Sequence, residues 1–342
     1  MVLGPRRRWG RGQLSTSILT HFPGLTARGF PRHHRISPMS GTLPSESLPP
    51  APTGAAPGLV GKLRTTLEMI KFEHSIFALP FALVGGMLAV RGWPTWREVF
   101  WLIVAMLGAR SAAMTFNRIA DRKLDGLNPR TRMRALPAGR LTLRFAVGFT
   151  VLSCALLALA AGELSPLAFK LSPLAIAVLL LYSYTKRFTL LSHLVLGISD
   201  GLAPVAAWIA LRNSISLSAL LLGAAVAFWV GGFDLIYACQ DIEFDRRMGI
   251  HSFPQRFGVA AALYVSIGCH FAMVALLLWV VRMERLGWIA AAGLALMAAL
   301  LAYEHWIVRP SDLSRLNAAF FTVNGYISLL FLVTWGADIL SH

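Results

Sequence analysis

From residue 70 onward the chain alternates nine predominantly apolar runs of roughly 20 residues with short polar stretches. A run of that length spans the hydrocarbon core of a bilayer as an α-helix. Lipid admits only structures that satisfy their own backbone hydrogen bonds. The runs are rich in Leu, Ala and Met, and they exceed the roughly 10 residues of a barrel strand. The expected fold is therefore all-α: a polytopic membrane protein with nine transmembrane helices bundled around a central cavity. The spans fall at roughly 70–90, 98–119, 143–162, 166–185, 190–211, 216–240, 258–281, 286–308 and 316–339. Pro80, Pro173 and Pro204 lie inside spans and predict kinks.

Composition agrees. Of 342 residues, 56% are hydrophobic and 14% charged, with a mean hydropathy of +0.61. Soluble domains average about 45–50% apolar and 25% charged, so a soluble enzyme is disfavoured. The net charge of +16 raises nucleic acid as a partner. The basic residues, however, sit in short clusters between apolar runs, and no zinc-finger, helix-turn-helix or RNP pattern occurs. No nucleic-acid partner is expected. Loops after the second, fourth, sixth and eighth spans carry thirteen Lys and Arg, against five on the opposite side. The positive-inside rule puts the basic side in the cytoplasm of a bacterium, or in the matrix of a mitochondrion. Cys154, Cys239 and Cys269 fall in apolar stretches without a CxxC pattern, which argues for small core residues rather than a disulfide or zinc site.

Residues 1–58 contain seven Arg, no Lys and one acid, Glu46, among many Ser, Pro and Gly. Such a segment cannot bury enough surface to fold alone. Residues 1–61 are read as a disordered basic extension, and residues 62–342 as the membrane domain. The extension fits a mitochondrial transit peptide, or a bacterial start assigned too far upstream with Met39 as the true start. The expectation is a bacterial inner membrane, with the mitochondrial inner membrane as the alternative.

Two acidic stripes stand on the basic side. In a helix, residues four apart share a face. Asn117, Asp121 and Asp125 line up at the end of the second span. Asp234, Tyr237 or Gln240, Asp241 and Asp245 do so at the end of the sixth. The segments echo each other at an offset of 124: Asp121-Arg122-Lys123-Leu124 against Asp245-Arg246-Arg247-Met248, and Asn117 against Asp241. A parallel internal repeat with both stripes facing one cavity is expected. Mg²⁺ prefers oxygen ligands and is commonly held by one or two carboxylates plus substrate phosphates. Facing stripes suit two such ions clamping a diphosphate and stabilising it as a leaving group. Arg130, Arg134, Lys186 and Arg187 suit the remaining phosphate oxygens, and the apolar bundle suits an isoprenoid tail from the bilayer. One stripe alone would read as a solvated membrane boundary. Two matched stripes reaching into spans through Asn117 and Asp234 point to function. His74 and His193 read as hydrogen-bonded packing residues, and Glu163, Glu284 and Glu304 as boundary or loop residues. A cation-coupled transporter also uses repeats and intramembrane carboxylates. Clustering of the acids at one face beside Arg and Lys favours phosphate chemistry.

These residues resemble the UbiA superfamily of intramembrane aromatic prenyltransferases. Asn117, Asp121 and Asp125 match its NxxxDxxxD motif, continued by Asn128-Pro129-Arg130-Thr131-Arg132-Met133-Arg134-Ala135-Leu136-Pro137-Ala138-Gly139. Asp234, Tyr237, Ala238, Asp241, Asp245 and Gly249 match DxxYAxxDxxxDxxxG, and Tyr184 to Thr189 resemble YxxxKR(F/Y)T. The resemblance implies that Asn117, Asp121 and Asp125 bind one Mg²⁺, and Asp241 and Asp245 a second. It implies a polyprenyl diphosphate donor contacted by Arg130, Arg134, Lys186 and Arg187, and alkylation of an aromatic ring ortho to a hydroxyl. Asp234 lies about 10 Å deeper than Asp241 at 1.5 Å per residue. With Tyr237 nearby, it is placed to orient or deprotonate the acceptor phenol. The likeness to 4-hydroxybenzoate polyprenyltransferases implies ubiquinone biosynthesis. The stretch Lys71-Phe72-Glu73-His74-Ser75 replaces the RLDKP-like segment of those enzymes, and KFEHSIFALPFAL, residues 71–83, resembles the menaquinone (futalosine-route) branch, whose acceptor is 1,4-dihydroxy-6-naphthoate. Lys71 would still supply positive charge at the first span. Gly249-Ile250-His251-Ser252 replaces the common GxKS.

Overall fold

The computed structural model describes residues 58–69 and 79–341, which form eleven α-helices without a named strand. They are α1 (Leu59–Met69), α2 (Leu79–Val90), α3 (Trp96–Leu127), α4 (Leu143–Leu164), α5 (Pro166–Thr185), α6 (Ser192–Arg212), α7 (Leu217–Ala238), α8 (Ile242–Met248), α9 (Phe253–Met283), α10 (Trp288–Ile307) and α11 (Asn324–Ser341). Among the described residues, eight helical stretches are long and apolar enough to cross a membrane. The first expected span, 70–90, is described only over the 12 residues of α2. Lys71, His74 and residues 1–57 lie outside the described residues.

Several boundaries differ from expectation for physical reasons. The second span runs to Leu127 rather than 119, so the whole first stripe is helical. It starts with a capping box, in which Thr95 and Glu98 satisfy each other's backbone N–H groups. The sixth span is not one helix through its stripe. After Ala238 it tightens into a 3₁₀ turn, Cys239–Asp241, and restarts as α8. Gly249 then ends α8 at φ 65°, a left-handed conformation that glycine adopts without a Cβ penalty. The last span opens with a π-helical turn, Ala318–Val323, before α11. The Asn324 amide donates to the carbonyls of Ala319 and Phe320 at 3.1 and 3.3 Å. Pro173 and Pro204 lie within α5 and α6, and Pro80 is the second described residue of α2.

Helix α7 belongs to the most buried of these spans, and α5 is the least buried. Around α7 sits an aromatic core: Phe81 stacks on Phe331 at 4.4 Å and meets Trp229 at 4.9 Å. Cys239 joins this core, while Cys154 and Cys269 are half-buried; all three are free thiols. Lipid gives helices no hydrophobic reason to associate, so small residues set their approach. A Cβ added at Gly197 of α6 would stand 2.1 Å from the Ala227 carbonyl oxygen of α7, a contact with rigid backbone. Gly197→Ala is therefore expected to destabilise the protein by about 1–3 kcal/mol through overpacking. Gly148→Ala meets nothing within 4 Å and should be neutral. Thermal unfolding in detergent compares the two.

Candidate active site

Both acidic stripes open into one cavity of about 810 Å³. Its walls come from α3 to α8 and the loops between them, with Ala82 added by α2 and Phe320 and Phe321 by the π turn. Along α3 the lining extends from Leu102 to Asp125, about 35 Å of helix at 1.5 Å per residue. One end carries the acids and bases; the rest is mainly Ala, Leu and Val.

Each of three carboxylates is held by a basic side chain from another segment. Lys186, at the end of α5, donates to Asp121 Oδ2. Arg134 donates to Asp125 Oδ1 at 2.7 Å. Arg130 grips Asp241 with two bonds, Nε to Oδ1 at 3.1 Å and Nη2 to Oδ2 at 2.6 Å. Such a fork-on-carboxylate pair adds geometric specificity to charge. Burial lowers the pKa of Arg130, but the hydrogen bond and charge of Asp241 outweigh it and hold the guanidinium above its ordinary value. Since Arg130 sits in the loop after α3 and Asp241 follows α7, this pair ties the two stripes together. Asn128, also in that loop, turns its side-chain oxygen to the Arg130 backbone N–H at 2.9 Å.

The expected residues are placed as follows. Asn117, Asp121, Asp125, Arg130, Arg134, Lys186, Asp234, Tyr237, Asp241 and Asp245 all line the cavity. Arg187 does not. It bonds the Ala120 carbonyl at 2.5 Å and stands 3.8 Å from Asp121 on the outer side. Tyr237, not Gln240, completes the second stripe, because Gln240 turns back to the Tyr237 carbonyl at 2.8 Å. Tyr237 stacks on Phe320 at 4.2 Å and lies 3.5 Å from Arg130 Nη1. Asp245 is buried and makes no salt bridge among the described residues. Asp121 Oδ1 and Asp125 Oδ2 are buried without a hydrogen-bond partner. Among the described residues no three Asp, Glu, His or Cys side chains converge as a preformed metal cluster.

Residues 78–330 match the UbiA prenyltransferase family. The chain belongs to this family. Among its relatives, the 4-hydroxybenzoate octaprenyltransferase of Idiomarina loihiensis is 35% identical over 254 residues, 72% of this chain and 87% of the relative. That of Methylobacillus flagellatus is 30% identical over 286 residues, 82% and 96% of the two chains. The apo structure of a UbiA homolog from Aeropyrum pernix K1 superposes with a TM-score of 0.72 at 36% identity, covering 78% of this chain and 98% of that one. A UbiA homolog from Archaeoglobus fulgidus, solved with DMAPP and Mg²⁺, shares the fold at a TM-score of 0.64 and 20% identity, over 81% and 99%. This UbiA-family chain is thus a multi-pass membrane prenyltransferase, and the transporter alternative falls away.

Below the charged mouth of this UbiA cavity lies a second polar layer that sequence reasoning largely missed. Arg110, Tyr182 and Asp200 line the wall there, and the Arg110 Nε is buried without a partner. The available signal was a single ionisable residue within an apolar span. His193, expected as a packing residue, is hydrogen-bonded to Asp234 and lines the cavity. Glu304 is a correction: it is no boundary residue but fully buried in α10, accepting from Asn324 at 3.1 Å. Glu163 pairs with Arg97 at 2.9 Å, and Glu284 with Ser218 and Arg91, at the opposite membrane face.

Proposed function

We propose that the protein transfers a polyprenyl group from its diphosphate to 4-hydroxybenzoate, in ubiquinone biosynthesis. The observation that carries this reading is the pairing of acids and bases around the polar end of one long apolar cavity. The names of the bacterial relatives support the acceptor. The positive-inside asymmetry supports a site on the cytoplasmic face of a bacterial inner membrane.

The donor set fits Mg²⁺. Asp121 Oδ1 and Asp125 Oδ2 are buried oxygens without hydrogen-bond partners, beside carboxylates and the Asn117 amide of the same cavity. Asn117, Asp121 and Asp125 would hold one ion, and Asp241 and Asp245 a second. Bound Mg²⁺ would neutralise diphosphate charge and stabilise it as a leaving group. Lys186, Arg134 and Arg130 now neutralise those same carboxylates. With Mg²⁺ bound, Lys186, Arg134 and Arg130 would be free to bind phosphate oxygens, with Arg187 adding positive charge. The mouth would then exchange one set of ion pairs for another without leaving a buried charge alone. The apolar walls take the isoprenoid and keep water from the allylic cation. Asp234 and Tyr237 stand on the acceptor side. Residues 62–342 are the proposed catalytic domain.

Arg110 points to an acceptor that carries a carboxylate. Its Nε lacks a partner inside the membrane, and a guanidinium recognises a carboxylate with paired hydrogen bonds. Arg110→Leu is expected to raise the KM for 4-hydroxybenzoate by about tenfold or more, with the KM for prenyl diphosphate unchanged. Steady-state kinetics with each substrate varied checks this. Residues 71–83 resemble the menaquinone branch, so 1,4-dihydroxy-6-naphthoate is the second acceptor to assay; transfer to it alone would move the protein to that pathway.

A further inference from the structure

His193 of α6 and Asp234 of α7 face each other on the cavity wall, with His193 Nδ1 2.7 Å from Asp234 Oδ2. An ionised carboxylate only accepts, so Nδ1 carries the hydrogen of this bond. In the neutral tautomer that this bond selects, Nε2 presents a bare lone pair. His193 is 7% exposed and lines the cavity. Its Nε2 is buried without a partner. A buried nitrogen left without a partner is costly, and one that faces a substrate cavity has a ready explanation in a catalytic role. Asp200 follows seven residues later on the same helical face and lines the same cavity.

We propose that His193 is the catalytic base of prenyl transfer. Its Nε2 receives the hydroxyl proton of the aromatic acceptor, and Asp234 is a positioning residue that fixes the tautomer. This rests on the aromatic-acceptor reading above and moves the proton from Asp234 to His193. The prenyl C1–O bond breaks and its electron pair leaves on the diphosphate. C1 bonds to the ring carbon ortho to the hydroxyl as Nε2 takes the hydroxyl proton, giving a dienone. That ring carbon then gives its hydrogen, as a proton, to the departed diphosphate. Nε2 returns its proton to the oxygen, and the ring becomes aromatic again. His193 ends unchanged, and the products are the prenylated phenol and protonated diphosphate.

The test uses full-length protein in lipid nanodiscs with Mg²⁺ and farnesyl diphosphate. Gln at position 193 can still donate to Asp234 but cannot take a proton. His193→Gln is expected to bind farnesyl thiodiphosphate as wild type does while kcat falls about 10²-fold. Asp234→Asn should cost a similar factor, because it reverses the hydrogen bond and puts the hydrogen on Nε2. The double variant should be no slower than either single one, as for residues acting as a unit. An acceptor with a more acidic hydroxyl needs the base less. The deficit of His193→Gln should therefore shrink with 2,6-difluoro-4-hydroxybenzoate, whose alkylation sites stay open. Normal turnover by His193→Gln, multiplying losses in the double variant, or an equal deficit with both acceptors would overturn the base. Loss of farnesyl thiodiphosphate binding in both His193→Gln and His193→Asn would assign the pair to folding and overturn it too. Wild-type inactivity towards every aromatic acceptor would instead refute the underlying reading, and the base with it.

Discussion

Asp125→Asn and Asp241→Asn are each expected to lower prenyl transfer by about 10³-fold, at the upper end of what one preorganised electrostatic group contributes. Asparagine keeps the size of the side chain but not its charge. At Asp125 it leaves Arg134 without the carboxylate now 2.7 Å away. The single amide oxygen of asparagine can face Arg134 or the cation but not both, and the NH₂ group then opposes the other. At Asp241 it removes the two-bond tie that joins the α3–α4 loop to the second stripe. The apparent affinity for Mg²⁺ should fall in both variants. Glu243→Gln is the control: that residue is exposed, pairs with Arg246 and stands off the cavity wall. Its activity should stay within twofold of wild type, since exposed pairs contribute about 0–1 kcal/mol. Initial rates across a Mg²⁺ titration measure all three.

Removing divalent cations with EDTA is expected to cut transfer by about 10³-fold or more, because the cations neutralise a diphosphate that must leave with added charge. Refilling with Mg²⁺ should restore the rate. The fold should survive the treatment. Lys186, Arg134 and Arg130 already balance the acids in the absence of a cation, so the thermal midpoint should change little. A protein that unfolded in EDTA would show that the ion pairs at the mouth do not hold the site together alone.

The spans were legible because bilayer thickness turns apolar length into helix length, with no tertiary information needed. The stripes were legible because a spacing of four puts Asp121 and Asp125 on one face whatever surrounds them. What the sequence hid depends on distant partners. The second span outlasts its apolar run because Asp121 and Asp125 are neutralised by Lys186 and Arg134, the former 65 residues away. Glu304 looks like a boundary residue until Asn324, 20 residues on, is seen to donate to it in the core. His193 looks like packing until Asp234, 41 residues on, meets it at the cavity wall. The break at Cys239–Asp241 also escaped a helical reading, because the stripe keeps its spacing of four straight through the 3₁₀ turn.

The most direct test is a transfer assay on membranes containing the protein, with farnesyl diphosphate, Mg²⁺ and 4-hydroxybenzoate, run beside Asp125→Asn. The predicted result is a farnesylated acceptor alkylated ortho to its hydroxyl, formed by wild type and reduced about 10³-fold in the variant. Equal product from the two proteins would contradict the carboxylate site. No product from wild type with this acceptor, with 1,4-dihydroxy-6-naphthoate or with longer prenyl diphosphates would contradict the proposed reaction.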